Sequence, residues 1–205
     1  GAEEMNGSHS LKGRVALITG AGRGLGRQTA QTLAAHGARV IAVARHAGQL
    51  AETVDAIRQA GGIADFVAAD LRQPDEVERL HRETGERFGT VSILVNAAGV
   101  FGPIQRIEDS DPQRWRETLE VNLLAPYYTC RAFVGAMLRQ GWARIINFTS
   151  AAALHPPGPL NSAYGTSKVA LNQFTRHLAA EIAGWEMLAW RDASVMLPVS
   201  AAATK

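Results

Sequence analysis

Sulfur chemistry is almost absent from this chain, whose one cysteine is Cys130. A lone thiol closes no intrachain disulfide, and no Cys/His cluster stands at metal-ligand spacing, so neither a disulfide scaffold nor a metal module is expected. Cys130 falls inside a helical pattern and reads as a buried structural thiol. Long apolar runs are missing too; none approaches the roughly 20 residues that a membrane-spanning helix needs. Charge of one sign never accumulates. The 21 Lys and Arg are interspersed with 19 Asp and Glu, for a net charge of +2. That pattern offers no electrostatic footprint for nucleic acid or an anionic bilayer, and neither is expected as a partner. Residues 1–10 are small and polar and include two glutamates, unlike a signal or transit peptide. A cytoplasmic, reducing compartment is the expectation.

What is present is apolar material and glycine. Hydrophobic residues make up 46% of 205, enough to bury one α/β core, and 20 glycines suit close packing of helices on a sheet around a nucleotide. The hydrophobic period alternates along the chain. Short β-branched runs at 14–19, 39–44, 64–68, 93–96 and 143–148 read as strands. Helical patterns separate them at 25–35, 49–59, 74–88, 112–139 and 162–183. Pro74, with Asp75 and Glu76 behind it, suits a helix N-terminus, and Gly89 suits its end. Pro126 should bend the 112–139 helix. Alternating strands and helices imply parallel pairing and right-handed crossovers, hence a doubly wound, three-layer α/β/α sheet of Rossmann type. One domain is expected over 11–184, with an N-terminal extension (1–10) and a tail (185–205) that breaks the rhythm. In that tail Trp185, Leu188 and Trp190 can continue a helix, and 195–199 can form a short strand that Pro198 confines to an edge.

The first strand runs into Thr19-Gly20-Ala21-Gly22-Arg23-Gly24-Leu25-Gly26. Glycines there allow a sharp turn and close approach to a pyrophosphate, and the next helix points its free N–H groups at the phosphates. Leu25 stands where the general G-x-G-x-x-G pattern has its third glycine. The second strand ends in Ala44-Arg45, without the carboxylate that would bind ribose hydroxyls. Arg45 and Arg23 can pair with a 2′-phosphate, favouring NADP(H) over NAD(H), although an arginine there can equally face solvent. Asp70 and Leu71, after the third strand, are candidates for the adenine end; Asp70 is also a natural turn cap. Asn96-Ala97-Ala98-Gly99 follows the fourth strand, where small residues let a cofactor lie against backbone.

Tyr164 and Lys168 are four apart and share a helix face. Phenols ionise near pH 10, so phenolate chemistry at neutral pH needs about 4 kcal/mol of added stabilisation. An adjacent ammonium and an oxidised nicotinamide can supply it, and the same lysine can bind the nicotinamide ribose. Alone, the pair reads more often as a surface Tyr and Lys on an amphipathic helix. Ser150 ends the fifth strand and can donate to a carbonyl oxygen, or merely cap a turn. Asn122 lies mid-helix, where its amide can hold a water that relays protons from Lys168, or mark a local distortion.

These residues together resemble the short-chain dehydrogenase/reductase family. The match lies in Thr19-Gly20-x-x-x-Gly24-x-Gly26, in Asn96-Ala97-Ala98-Gly99, and in Asn122, Ser150, Tyr164 and Lys168, which correspond to its Asn-Ser-Tyr-Lys tetrad. The resemblance covers about 11–183. It implies a single Rossmann domain, an NAD(P)(H) cofactor and a small carbonyl or alcohol substrate. It also implies a homodimer or homotetramer that often packs through the helices at 115–139 and 162–183. Two features depart from the pattern. The loop from Ser150 to Tyr164 is slightly long and stiffened by Pro156, Pro157 and Pro159. Residues 185–205 do not resemble the family's continuation, as in a truncated, frame-shifted or divergent member, so the last family strands are expected to be lacking. The tail or a partner subunit can then cover the exposed edge. An alternative reading is a nucleotide-binding but catalytically impaired relative that acts through association.

Overall fold

The computed structural model describes residues 10–154, 156–189 and 194–196. The expected 1–10 extension lies outside them except for Ser10, as do Trp190, Pro198 and most of the tail. The strands are β1 (Val15–Thr19), β2 (Arg39–Ala44), β3 (Ile63–Ala68), β4 (Ile93–Asn96), β5 (Arg144–Asn147) and β6 (Ser194–Met196). All pair in parallel, in the order β3-β2-β1-β4-β5-β6. The chain winds outward from β1 to β3, then returns to place β4 on the other side of β1. Thr19 therefore has Val43 as its neighbour on one side and Asn96 on the other. A crevice opens at the carboxyl ends of β1 and β4, the switch point where ligands of such sheets bind.

Two apolar layers sandwich the sheet, set by the two-residue period of its strands. Ala16 and Ile18 face one layer with Ala30, Leu50 and Ile57 from α1 (Gly24–Ala35) and α2 (Ala47–Gln59). Leu17 faces the other with Leu80, Phe133 and Leu178. These come from α3 (Pro74–Phe88), α5 (Ala125–Arg139) and α6 (Ser162–Ala189). Fully burying a leucine such as Leu17 contributes about 1.5–3 kcal/mol, so this doubly wound core is fixed by which face each side chain takes.

Two expectations change in detail. The 112–139 helix is not merely bent. It is divided into α4 (Pro112–Leu119) and α5 by a π-helical turn at Glu120–Leu124. Proline has no N–H for the carbonyl four residues back, and its ring crowds that oxygen. For Pro126 that residue is Asn122, and the wider turn accommodates both effects. The second change concerns the sheet edge. Ser194–Met196 pairs with Arg144–Ile146 of β5, so the tail itself supplies a three-residue edge strand. The backbone of α6 also runs to Ala189, past the expected 183.

Candidate active site

The crevice is an open cleft of about 420 Å3. Its floor is the glycine loop between β1 and α1. Gly20 adopts φ +66°, and a Cβ there would lie 2.7 Å from Ala98 Cα, so only glycine lets β1 pass this close to the loop after β4. A Cβ on Gly26 would sit 2.3 Å from the Gly20 oxygen, which keeps the first turn of α1 tight against the loop. Thr19 Oγ1 accepts from the N–H groups of both Ala97 and Ala98 at 3.1 Å, tying β1 to the facing wall. Thr53 donates from α2 to the Ala21 oxygen at 2.9 Å. At the start of α1, Arg23 provides no side-chain cap and the first turn has no acidic residue. The leading N–H groups of a 12-residue helix thus open toward the cleft without a side-chain acceptor.

Of the residues predicted to bind a cofactor, Gly20, Gly22, Arg23, Gly24, Leu25 and Gly26 line the cleft. So do Arg45, Asp70 and Leu71, and so do Ala97, Ala98 and Gly99. Asn96 does not. Its side chain is buried beneath the floor, donating to Asn147 Oδ1 at 2.8 Å and to Cys130 Sγ at 3.5 Å and accepting from Thr129 at 2.7 Å. Asn147 continues the network to Thr175 on α6 at 2.9 Å. Asn96 therefore joins β4, β5, α5 and α6 through its side chain. An interior amide must find partners, and these lie below the sheet end. Burial pushes the Cys130 thiol up to about 12, which keeps it inert.

Asp70 is also engaged. Arg72 grips its carboxylate through Nε and Nη2, at 2.9 and 2.5 Å, and the Arg72 N–H closes an Asx turn at 3.1 Å. Hydrogen bonding from Arg72 holds the Asp70 carboxyl below its ordinary value, against the opposing effect of burial. The carboxylate expected to meet adenine is thus charge-balanced, and Arg72 itself lines the cleft. Sequence reading missed Arg72 and Thr53. The visible signals were a basic residue two beyond Asp70 and a hydroxyl on the apolar stripe of α2.

The four polar residues predicted for catalysis are not among the walls of this cleft, but Lys168 and Asn122 border Gly99, which does line it. Lys168 is 5% exposed, and its Nζ donates to the Phe148 oxygen at 2.7 Å. Burial pushes it down to about 8. A Cβ on Gly99 would lie 3.7 Å from that Nζ and 3.5 Å from Asn122 Oδ1. The ammonium is 5.8 Å from the centre of the Tyr164 ring. Ser150 Oγ accepts from the Ala152 N–H at 3.2 Å, a turn cap that leaves its O–H free to donate elsewhere. Asn122, fully buried in the π turn, donates to the Val100 oxygen at 2.8 Å and to Ser167 Oγ at 3.0 Å, and accepts from the Val100 N–H at 2.8 Å. Both amide hydrogens are spent, so the side chain clamps Val100 and Ser167, and only the second lone pair of Oδ1 remains for the water expected from sequence. Ser167 in turn donates to the Tyr164 oxygen at 2.7 Å, linking the clamp to the turn of α6 that carries Tyr164 and Lys168. Phe101 lies face to face with Tyr164, ring centres 4.6 Å apart at 19°. Among the described residues no cluster of His, Cys, Asp or Glu is suited to a metal ion, and no helix is long and apolar enough to cross a membrane.

The topology and the loop define a dinucleotide-type Rossmann domain with a Tyr-Lys pair beside its cleft. The chain belongs to the short-chain dehydrogenase family, whose model matches residues 14–189. It is 43% identical over 169 residues to a short-chain reductase protein, NovJ, of Streptomyces niveus, a match covering 82% of this chain and 63% of that one. The fold superposes with a TM-score of 0.84 on a metagenomic short-chain oxidoreductase in complex with NADP, at 34% identity and with 93% and 82% of the two chains covered. An NAD+-bound xylitol dehydrogenase gives 0.83 at 26% identity, with 92% and 70% covered. The chain spans 58–63% of the length of the first curated relatives it matches.

Proposed function

We propose that residues 11–184 form the cofactor-binding and catalytic unit of an NADP(H)-dependent oxidoreductase acting on a carbonyl or secondary alcohol, with Tyr164 as general acid/base. The observation that carries the proposal is the buried Lys168 ammonium, which borders both Gly99 in the cleft wall and the Tyr164 ring.

The residues present fit a dinucleotide. Glycine at 20 and 26 lets the loop pack against the Ala98 backbone and its own first helical turn, and the N-terminus of α1 offers its N–H groups to a pyrophosphate. Gly24, Leu25 and Gly22 complete that lip, while Ala97 and Ala98 give the cofactor a flat backbone wall. Preference for NADP(H) is supported by charge. The place of an NAD-selecting carboxylate is Ala44, and the carboxylate of Asp70, the acidic residue in the walls, is bound by Arg72. The Arg45 and Arg23 side chains line the same cleft without a side-chain hydrogen bond or ion pair among the described residues, and Arg45 is near enough to Asp70 to help lower its carboxyl. A 2′-phosphate would supply the missing anion.

When bound, a reduced nicotinamide supplies hydride to the carbonyl carbon. Tyr164 then gives its phenolic proton to the carbonyl oxygen, and Ser150 donates its free O–H to the same oxygen as charge develops. Lys168, cationic below about pH 8, favours the phenolate that remains. Asn122 acts through position, since its clamp sets Val100 and, through Ser167, the first turn of α6. A water relay from Lys168 would use the second lone pair of Asn122 Oδ1, which accepts from the Val100 N–H with the other. Assembly as a homodimer or homotetramer and a cytoplasmic site of action belong to the same proposal.

A carbonyl panel with NADPH, run beside a cofactor-binding titration, tests the reading. Tyr164→Phe should lower turnover about a thousandfold, within the usual range for losing a general acid, while leaving cofactor affinity unchanged within about twofold. Retained turnover in that variant sinks Tyr164 as proton donor. A second reading is favoured by one observation: Tyr164, Ser150 and Lys168 are not among the walls of the cleft. In it the chain binds nucleotide without turnover and acts through association. Tight NADPH binding with no substrate reduced would favour it.

A further inference from the structure

The loops around Tyr164 are poor in charge, although the Lys168 ammonium lies 5.8 Å from its ring. Between Ile93 and Gln105, and again between Ile145 and Ser167, there is no Lys, Arg, Asp or Glu, in a chain that is 20% charged. These two stretches are the loops after β4 and β5, and they meet. The Gln105 N–H donates to the Leu160 oxygen at 2.8 Å. Leu160 holds φ +73°, a conformation that costs a non-glycine residue about 1 kcal/mol or more, so the junction is specified rather than incidental.

Several large apolar side chains remain exposed on the same loops: Ile104 at 65%, Leu154 at 54%, Phe101 at 49% and Leu160 at 43%. Phe101 is the one with a defined relation to the chemistry, stacked on Tyr164. It is also held from both sides. Asn122 clamps both main-chain polar groups of Val100. Gly102 takes φ +77°, and a Cβ there would meet Thr118 Oγ1 at 2.3 Å. An aromatic ring fixed half in water beside a proton donor is a platform for another apolar ring. An anion placed there finds no Lys or Arg on either loop, and the Lys168 ammonium beside Tyr164 is buried and donates to the Phe148 oxygen at 2.7 Å, so a charge removed from water there is strongly disfavoured.

Resting on the reading of Tyr164 above, we infer that this site takes an uncharged ketone whose carbonyl is attached to an aromatic or alicyclic ring, with Phe101 as the specificity-determining wall. Sugar acids and keto acids are poor fits to the same surface. The ring lies against Phe101 and the apolar rim, which leaves the carbonyl oxygen toward the Tyr164 hydroxyl.

The test uses the full chain with NADPH and three probes: an aryl ketone, an alicyclic ketone and a keto acid. The ring ketones should exceed the keto acid in kcat/KM by about tenfold or more, the range in which apolar pockets discriminate. Phe101→Ala should raise KM for the ring ketones at least tenfold more than it does for acetone, and Phe101→Trp should restore it. Equal use of the keto acid overturns the inference while leaving the proposed chemistry standing. So does a Phe101→Ala loss that falls on kcat for every substrate alike. Calorimetric binding of the aryl ketone to NADP+-loaded Tyr164→Phe protein separates the two claims. Binding that Phe101→Ala removes, with no turnover in any form, sustains the inference and overturns the catalytic role of Tyr164. Absence of binding in both overturns the inference.

Discussion

The two sides of the cleft are built by opposite means. On the side of β1, α1 and β2 the shape comes from atoms that are missing. Gly20 and Gly26 have no room for a Cβ, and Ala30 and Ala34 keep α1 close to the sheet. On the side of β4, β5 and α6 the shape comes from buried polar side chains, with Asn96, Asn122, Asn147, Thr129, Thr175 and Ser167 bonded to one another and to backbone. The first side presents a steric cradle to a ligand that brings its own polar groups. The second must hold a tyrosine and a lysine at one place against entropy, and directional hydrogen bonds do that where dispersion alone does not.

This contrast implies that one side fails when atoms are added and the other when they are removed. The largest effect should come from Asn122→Leu, which leaves the Val100 N–H, the Val100 oxygen and Ser167 Oγ short of a partner. The cost should be about 3 kcal/mol or more, seen as a lower urea midpoint together with lost turnover. Near-wild-type stability would mean that the clamp is dispensable. Gly20→Ala should cost about 2 kcal/mol from crowding against Ala98 and the positive φ, and should weaken NADPH binding. Unchanged affinity would break the claim that the cradle works by absence.

Lys168 sharpens the contrast through pH. Burial lowers its proton affinity in the folded state to about 8. From about pH 8 up to the ordinary lysine range the unfolded chain therefore binds more protons, and stability should climb with pH. Below about 8 both states are protonated and the slope from this residue vanishes. Denaturant titrations of wild type and Lys168→Met should diverge only above that point; parallel curves would deny the burial. The smallest effect is expected for Arg45→Asp, a roughly tenfold shift in the ratio of NADPH to NADH affinity, as expected for one charge-assisted contact. An unshifted ratio removes Arg45 from cofactor choice.

Much of the steric side was legible in the linear pattern. The glycine loop, the strand ends at Ala44 and Asn96 and the bounds of α3 follow from local rules of period, turn and cap, and β2, α3 and β4 stand where those rules put them. The polar side was legible as residue types but not as roles. Asn96 looked like a ligand contact and is a buried strut. Asn122 read as a water holder or a helix distortion, and it sits in a π turn and clamps Val100. Asp70 read as an adenine contact or a turn cap, and it closes an Asx turn with Arg72, which also grips its carboxylate. In each case the partner that decides the role is a hydrogen-bonding group whose position no periodicity reveals. Phe101 was invisible for the same reason, since it lies far along the chain from Tyr164.

Fold class, the order of strands and helices along the chain, the glycine loop after β1 and the Tyr-Lys spacing were settled by sequence alone, because each depends on neighbours within a few turns. The tertiary structure decided where the buried amides spend their hydrogen bonds, how the π turn at Glu120–Leu124 absorbs Pro126, and which side chain stacks on Tyr164. Those outcomes depend on groups brought together only when β4, β5 and α6 converge, and an interior polar group takes whatever partner lies within its reach.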